Sequence, residues 1–181
     1  MLLSLDISTS CTGYCVFDQG ELRDIGYINL SKHKGLFEKA LYVKKSILAI
    51  NEKYKISEVA VEENLQAFRP GLSSAKTLMT LAQFNGVVRW ICYENIGVDV
   101  ESINVNSARK NVGLKINKKN KEKNTKQQVQ EWVAKDNSKI LWPWKILKSG
   151  PNKGKKRMCN EAYDMADAYV IGKSFLSGWH V

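Results

Sequence analysis

The sequence predicts an α/β domain built on a five-stranded mixed sheet, three antiparallel strands and then two parallel ones, with helices on both faces. Three short apolar or alternating segments open the chain with turn residues between them, which is the pattern of an antiparallel meander. Two further strand-like segments each follow a long helical segment, and strands joined through helices add to a sheet in parallel. The 181 residues are enough for a single domain with its own core.

The predicted strands are short and bounded by turn residues. Gln19-Gly20 has the character of a two-residue hairpin turn between the second strand and the third. Val59, Ala60 and Val61 form an apolar run typical of a buried strand. The five predicted strands are residues 2–7, 13–17, 21–30, 57–63 and 98–105.

Apolar residues at helical spacing predict five helices. The first covers residues 33–54, with an apolar face made of Leu36, Phe37, Ala40, Leu41, Ile47 and Leu48. The second runs from Ser73 or Ser74, either of which can cap it, to about Glu94, and its Gly86 predicts close packing against a neighbour. A short helix capped by Ser107 and two helices over residues 125–134 and 160–174 complete the set.

Basic residues are concentrated in one region. The chain carries 28 Lys and Arg against 18 Asp and Glu, a formal net charge of +10. Residues 109–157 hold 16 of these basic residues against 3 acidic ones, so this region carries +13 and the rest of the chain −3. Within it, the stretches 114–124 and 145–157 are predicted to be loops, because the first has almost no apolar content and the second contains Gly150-Pro151. The surplus predicts a polyanionic partner, most simply nucleic acid, rather than a merely solvated surface.

Other composition features argue against a membrane, a disulfide scaffold and a nucleotide site. No apolar run approaches the ~20 residues of a spanning helix, and Asp6 interrupts the first apolar run. The four cysteines lack zinc-site spacing, so we expect reduced thiols in a cytoplasmic protein. Residues 150–156 lack the Ser/Thr and the spacing of a phosphate loop, and a sugar kinase with this opening strand would need two such domains.

Four carboxylates fall at places that the predicted fold brings together. Asp6 and Glu62 end two predicted strands, and Asp164 and Asp167 lie one turn apart on the last helix. Ends of parallel strands meet at one edge of a sheet, so a helix face turned to that edge would gather four oxygen donors. Each acid alone is explained as a turn, helix-end or solvated residue, but the set favours a site for hard divalent cations such as Mg²⁺. Glu63 is the alternative to Glu62 for this position in the site. Adjacent strand residues face opposite sides, so only one of the two can point into it.

The motifs that contain these acids resemble the RuvC family of Holliday junction resolvases, which have an RNase H-like fold. The matching stretches are Asp6-Ile-Ser-Thr-Ser-Cys-Thr-Gly13, Ala60-Val-Glu62-Glu63 and Asp164-Met-Ala-Asp167-Ala168. The resemblance implies two Mg²⁺ ions per active site, replaceable by Mn²⁺, held by Asp6, Glu62, Asp164 and Asp167. It also implies a homodimer that resolves four-way DNA junctions by paired symmetric nicks, leaving 5′-phosphate and 3′-hydroxyl ends. In its Lys/Asn-rich character the chain looks more like the divergent resolvases of phages, and a phage-encoded member is expected in the host cell cytoplasm.

The resemblance also implies a functional lysine, Lys126, which we expect beside the scissile phosphate. Cellular bacterial members have a junction-probing aromatic residue where this chain has Leu65, so Phe68 is the substitute candidate, with a loop anchor as the alternative. The basic residues are expected to hold the DNA backbone, because lysine is a flexible point charge. The predicted DNA contacts are Phe68, Arg69, Arg109, Lys110, Lys118, Lys119, Lys121, Lys123, Lys155, Lys156 and Arg157.

Three questions stay open at the level of sequence. Trp142 and Trp144 are expected to pin the approach to the last helix or to stack on exposed bases. The long second helix is the candidate dimer interface. Two alternative functions also fit the fold: an RNase H-like nuclease that cuts other branched DNA or RNA–DNA hybrids, and a non-catalytic junction-binding protein.

Overall fold

The computed structural model describes residues 1–63 and 74–178, and a five-stranded sheet forms its centre. Its strands are β1 (Leu2–Ile7), β2 (Cys11–Asp18), β3 (Glu21–Asn29), β4 (Glu58–Glu62) and β5 (Val100–Ile103). The strand order is β3-β2-β1-β4-β5, with antiparallel pairs among the first three strands and parallel pairs from β1 to β4 and from β4 to β5. This topology confirms the predicted mixed sheet.

The turn between β2 and β3 is the two-residue connection that the sequence predicts. Gln19 has φ 50° and Gly20 has φ 85°. Positive φ at both central residues is the requirement of a type I′ hairpin turn, whose twist matches that of the flanking strands.

Helices cover both faces of the sheet, as predicted. They are α1 (Leu36–Tyr54), α2 (Ala75–Ile96), α3 (Val105–Asn111), α4 (Thr125–Asp136) and α5 (Glu161–Leu176). One core lies between the sheet and the pair α1 and α2, and includes Leu5, Val43 and Phe84. The second core joins the other face to α3, α4 and α5, and includes Phe17 and Val170. Alternate residues of β1 therefore enter different cores, because successive side chains of a strand point to opposite faces.

The cysteines lie mostly in the interior of the domain. All four cysteines are free; Cys11, Cys15 and Cys92 are buried and Cys159 is half-buried. Among the described helices, none has both the length and the apolar character needed to cross a bilayer.

Two helix details differ from the prediction. Asn104, not Ser107, caps α3, and its side chain accepts hydrogen bonds from the backbone N–H groups of Asn106 and Ser107. The expected close packing at Gly86 is wrong, because a Cβ atom there would meet no atom within 4 Å. Ser74 caps α2 as expected, accepting from the backbone N–H of Thr77.

The apolar face predicted for α1 is correct only in part. Ala40 and Ile47 are buried in the core, but Phe37, Leu41 and Leu48 are 78%, 69% and 40% exposed. The helix has apolar residues on two sides, and Val43 and Ile50 complete the buried one. The exposed side lies next to α2 and leaves a large apolar surface on the outside of the domain.

The basic stretch 145–157 is not the loop that the sequence predicts. A second, two-stranded sheet spans it, with β6 (Trp144–Ile146) antiparallel to β7 (Lys156–Met158). The turn signal at Gly150-Pro151 was correct, since these residues lie in the connection between the two strands. The other basic stretch, residues 115–124, forms turns and irregular structure between α3 and α4.

Candidate active site

The strand acids lie side by side at one edge of the sheet. Asp6 is the penultimate residue of β1 and Glu62 is the last residue of β4, its parallel neighbour. Leu5 pairs with Val61 in the register, so Asp6 and Glu62 follow at the next position of each strand. Asp6 shares its side of β1 with Ser4, whose hydroxyl donates to the carbonyl oxygen of Ala168 at 2.8 Å. The side of the sheet that bears these acids is therefore the side covered by α5.

Glycine allows α5 to approach the strands closely. Gly13 in β2 lies opposite Asp6, and a Cβ atom at Gly13 would overlap the backbone carbonyl of Asp164. Gly172 meets the Phe17 ring in the same way further along the helix. Because no side chain separates Gly13 from the backbone of Asp164, the first turn of α5 lies directly over this part of β2, next to Asp6.

The four predicted acids converge on one cavity of about 240 Å³. Its charged lining consists of Asp6, Glu62, Glu63, Arg109, Lys126, Asp164 and Asp167. Asp6 is 9% and Asp167 5% exposed, so two of the carboxylates are almost out of contact with solvent. Buried carboxylates are costly unless they are protonated, paired or bound to a cation.

Burial and crowding disfavour ionisation of these acids. Burial raises the pKa of the Asp6 carboxyl well above its ordinary value, and the charges of the other three carboxylates raise it further. Burial also raises the pKa of Glu62 and of Asp164. The interaction between these two carboxyl groups raises the pKa of Asp6 and opposes the rise in the pKa of Glu62.

Glu62 rather than Glu63 is the partner of Asp6. Glu63 lies at the rim of the same cavity, where its Oε2 accepts a hydrogen bond from Nδ2 of Asn104 at 3.1 Å. Since Asn104 is also the residue that caps α3, this bond ties the end of β4 to the helix that carries Arg109.

Two cations enter the acid cluster from α3 and α4. Arg109 donates from Nη2 to Oδ1 of Asp167 at 3.0 Å. Lys126 Nζ lies 3.7 Å from Oδ1 of Asp164. Burial opposes the charge of Lys126, but Asp164 and the other carboxylates outweigh it and raise the pKa of the ammonium group. Arg109, predicted from its sequence position to contact the DNA backbone, lies among the carboxylates.

Local interactions fix the start of α4 and hence the position of Lys126. Asn124 and Gln127 form a capping box, each side chain accepting from the other residue's backbone N–H. Gln128, one residue further, accepts from the backbone N–H of Asn117 and donates to the carbonyl oxygens of Asn117 and Lys123, all within 2.8–3.0 Å. The basic loop before α4 is therefore closed at its base by one side chain.

Asn85 is a residue of the cavity that the sequence did not indicate. It lies on α2, is 2% exposed, and its Oδ1 has no hydrogen-bond partner among the described residues. Nε of Arg109 is likewise buried without one in the described part of the chain. A polar residue on the same side of α2 as the buried Val88 and Cys92 was the available signal. The cavity thus holds one acceptor and one donor that its described walls do not satisfy.

The carboxylates of the cluster are the type of ligand that binds a hard cation, but two of them are already paired with basic side chains of the protein. All four acids offer carboxylate oxygens, the ligands that Mg²⁺ prefers. In residues 1–63 and 74–178, however, no group of three or more His, Cys, Asp or Glu side chains is arranged to hold a metal ion. Arg109 and Lys126 neutralise Asp167 and Asp164 instead. A metal would have to compete with these two side chains.

Nine of the predicted DNA-contact residues fall in the described part of the chain, on several elements. Phe68 and Arg69 fall outside the described residues, as does Leu65. Lys123 pairs with Glu131 at 2.8 Å, which partly neutralises it. Seven others are exposed: Lys110, Lys118, Lys119, Lys121, Lys155, Lys156 and Arg157.

A second cavity, of about 380 Å³, adjoins the acid site and is cationic. Arg109 lines both cavities, and Lys110, Lys115 and Lys118 complete the positive wall of the second. A negative site with cationic walls beside it suits a ligand that carries several phosphates.

No protein-family model matches this sequence, and no curated protein sequence matches it. Solved structures match its fold. RuvC from Thermus thermophilus in complex with a Holliday junction substrate superposes with a TM-score of 0.63 at 13% identity, over 96% of this chain and 92% of that one. A second T. thermophilus RuvC structure gives 0.58 at 14% identity, over 96% and 93%. The yeast mitochondrial Holliday junction resolvase gives 0.60 at 18% identity, over 97% and 77%. The predicted RNase H-like fold of RuvC is thus confirmed.

Proposed function

We propose that this protein is a metal-dependent endonuclease that resolves four-way DNA junctions by paired symmetric nicks, leaving 5′-phosphate and 3′-hydroxyl ends. The observation that carries the proposal is the convergence of Asp6, Glu62, Asp164 and Asp167 on one cavity. The fold, which it shares with Holliday junction resolvases, supports the choice of substrate.

The same four carboxylates would hold two divalent cations, Mg²⁺ or Mn²⁺. When bound in carboxylate sites, such ions promote attack of water on a phosphodiester and neutralise the leaving oxygen. Burial and the neighbouring carboxylates raise the pKa of Asp6, and divalent cations held by the four acids would favour its ionised form. They would also take the place of Arg109 and Lys126 as the partners of Asp167 and Asp164.

The two released side chains would then act on the substrate. Lys126 has 57% of its side chain exposed, so its ammonium group can reach a phosphate oxygen at the mouth of the cavity. Arg109 lies on the wall shared by the acid site and the cationic cavity, where its guanidinium can hold the scissile phosphate or the next one along the strand. The remaining lysines of the cationic cavity would bind the following stretch of backbone.

Symmetric cutting of two strands requires two active sites, and the exposed apolar surface of α1 and α2 supports a homodimer. Leu36, Phe37 and Trp90 border a groove of about 580 Å³ whose floor is opened by Gly86. Met79, Trp90 and Tyr93, on one side of α2, are 64%, 56% and 58% exposed. A two-fold interface is self-complementary, so an aromatic ring beside an open groove can serve both partners.

Cleavage of labelled synthetic substrates in Mg²⁺ tests the function. The substrates are a mobile four-way junction, a Y-fork, a duplex and an RNA–DNA hybrid, each offered to the wild type, Asp6→Asn and the control Asp18→Asn. Asp18 is a suitable control because it lies at the far end of β2 in a surface ion pair with Arg23. We expect paired nicks in the junction from the wild type and Asp18→Asn only.

Other outcomes would redirect the assignment. Preferential cutting of the hybrid or the fork would keep the nuclease and replace its substrate. Tight junction binding without any cutting would make the protein a junction-binding module. Full activity in Asp6→Asn would remove the carboxylate site from the mechanism.

A further inference from the structure

The hairpin formed by β6 and β7 stands outside the five-stranded fold, and both of its sides face solvent. Trp144 pairs with Met158, Lys145 with Arg157, and Ile146 with Lys156. Trp144 and Ile146 therefore share one side, and they are 51% and 64% exposed. Neither strand packs broadly against another described helix or strand. An isolated hairpin gains little stability of its own, so its exposed tryptophan is not explained by folding.

The charge of this segment is of one sign. From residue 137 to residue 160 the sequence has seven basic residues and no acidic one. Those between residues 144 and 158 are all exposed, and within the described part of the chain none of them forms an ion pair. This composition matches a polyanion that also offers apolar or aromatic surface, which describes nucleic acid with accessible bases.

The hairpin is attached to the edge of the sheet where the acid site lies. The backbone N–H of Cys159 donates to the carbonyl oxygen of Pro143 at 2.9 Å and closes the hairpin two residues before α5 begins. Glu161, in the first turn of α5, accepts a hydrogen bond from Asn29 at the end of β3. The hairpin therefore projects next to β3, whereas Arg109 and Lys126 flank the acids from α3 and α4.

The two tryptophans of this segment have different environments. Trp142 is half-buried and packs against the core under α5, where it anchors the base of the hairpin. Trp144, two residues later, is exposed on the hairpin and is not part of that core. Of the two roles expected for this pair, anchoring falls to Trp142, which leaves Trp144 free for a ligand.

We propose that the hairpin is a branch-binding arm, in which Trp144 and Ile146 contact unpaired or splayed bases while Lys145 and Arg157 on the other side hold backbone phosphates. The inference rests on the proposed function for its substrate, DNA with a branch point. Duplex DNA offers no exposed base faces for Trp144 to stack on, so the arm binds where bases are unpaired or splayed. Recognition of the branch therefore belongs to the hairpin and not to the acid site.

Equilibrium binding tests the arm separately from cutting. A fluorescein-labelled four-way junction and a duplex of equal length are titrated in EDTA, so that no cleavage occurs, with the wild type and with Trp144→Ser/Ile146→Ser. We expect junction affinity to fall by about 5- to 150-fold, the loss that corresponds to one base stack, and duplex affinity by less than about twofold. Trp144→Phe should retain most of the junction affinity, because phenylalanine also stacks.

Matched variants separate this effect from general damage. Leu176→Ser, which alters an exposed apolar residue at the far end of α5, should leave both affinities unchanged. Lys145→Ala/Arg157→Ala should weaken the salt dependence of junction binding. The slope of log affinity against log salt concentration should fall in magnitude by about 0.9 for each phosphate that the arm no longer neutralises. The control Lys45→Ala/Lys135→Ala should leave this slope unchanged. Thermal unfolding confirms that each variant is folded.

Failure of the arm and failure of the proposed function give different results. Junction affinity that is unchanged in Trp144→Ser/Ile146→Ser overturns the arm, whatever the wild type cuts. Equal loss of junction and duplex affinity also overturns it, since the hairpin would then bind DNA without regard to branching. A wild type that needs Trp144 to bind the junction but cuts no substrate retains the arm and overturns the nuclease.

Discussion

Arg109 donates a hydrogen bond from Nη2 to Oδ1 of Asp167 at 3.0 Å, and the two side chains are only 17% and 7% exposed. This pair places a permanent positive charge inside a cluster of four carboxylates. The charge of Asp167 still raises the pKa of Asp6, while Arg109 opposes the rise in the pKa of Glu62. The arrangement makes Arg109 both a stabilising residue of the free protein and a competitor for any cation that Asp167 binds.

Replacement of Arg109 should therefore couple stability to metal. Arg109→Ala leaves Asp167 buried without its partner, which costs about 3–5 kcal/mol in typical proteins. We expect a lower melting temperature in EDTA and a substantial recovery when millimolar Mg²⁺ is added, measured by thermal unfolding. Arg109→Lys is the control, because it keeps the charge and loses the planar group. An equal loss with and without Mg²⁺ would contradict the proposed competition.

The buried Asp6 should make the free protein less stable as the pH rises. Its pKa is raised in the folded state, so the stability it provides is complete below its ordinary value of 3.8 and is lost as the pH rises through the folded pKa. Asp6→Asn cannot ionise, and we expect it to melt about 2–4 °C or more above the wild type at neutral pH in EDTA. The difference should shrink as the pH falls towards the ordinary pKa. A constant difference across this range would argue against the raised pKa.

Gly13 should tolerate no side chain. Because a Cβ atom there would overlap the backbone carbonyl of Asp164, Gly13→Ala must push α5 away from β2. We expect a loss of stability of about 1–3 kcal/mol and a larger loss of cleavage, because Asp164 and Asp167 would move with the helix. Gly20→Ala is a useful comparison, since Gly20 has open space but a φ of 85°; it should reduce stability and leave cleavage unchanged.

Asn85 should matter for activity more than for stability. Its Oδ1 is buried at the acid cavity without a hydrogen-bond partner among the described residues, so Asn85→Leu removes an unsatisfied oxygen. We expect an unchanged or higher melting temperature together with a loss of about 10-fold or more in junction cleavage. A variant that cuts normally would show that Asn85 is only a packing residue.

Charge placed on the exposed side of α2 should separate the proposed dimer. Trp90→Glu puts a carboxylate beside the apolar groove, and burial of an unpaired charge opposes association. Light scattering should give twice the chain mass of 20.5 kDa for the wild type and the chain mass for the variant. The variant should lose paired nicks in the junction. A wild type that is monomeric at micromolar concentration would remove the interface.

The sequence predicted the sheet and the convergence of the four acids because both follow from local rules. The type I′ turn at Gln19-Gly20 and the apolar run of β1 are short-range signals, and strand ends necessarily meet at a sheet edge. Assignment of Asp6 to that edge followed directly. The acids on α5 could be placed because their spacing of three residues fixes a common face.

The features that sequence analysis missed depend on interactions between residues distant in the chain. Periodicity shows that α1 has apolar residues on two sides but not which side meets the core, so Phe37 and Leu41 were assigned to the wrong one. The pairing of Arg109 with Asp167 joins residues 58 positions apart. The strands β6 and β7 have three residues each and no buried alternation, so turn residues dominated the pattern.

The base of the basic loop before α4 has a consequence for how this region can vary. Gln128 binds the backbone at Asn117 and at Lys123, so residues 118–122 form a tip whose two ends are held by one side chain. The capping box sets the start of α4 independently of that tip. Insertions or grafted peptides between residues 118 and 122 should therefore leave Lys126 in place, since loop-length changes cost little once the ends are fixed. This tip is the natural position at which related proteins can differ in length and at which a foreign recognition peptide can be introduced.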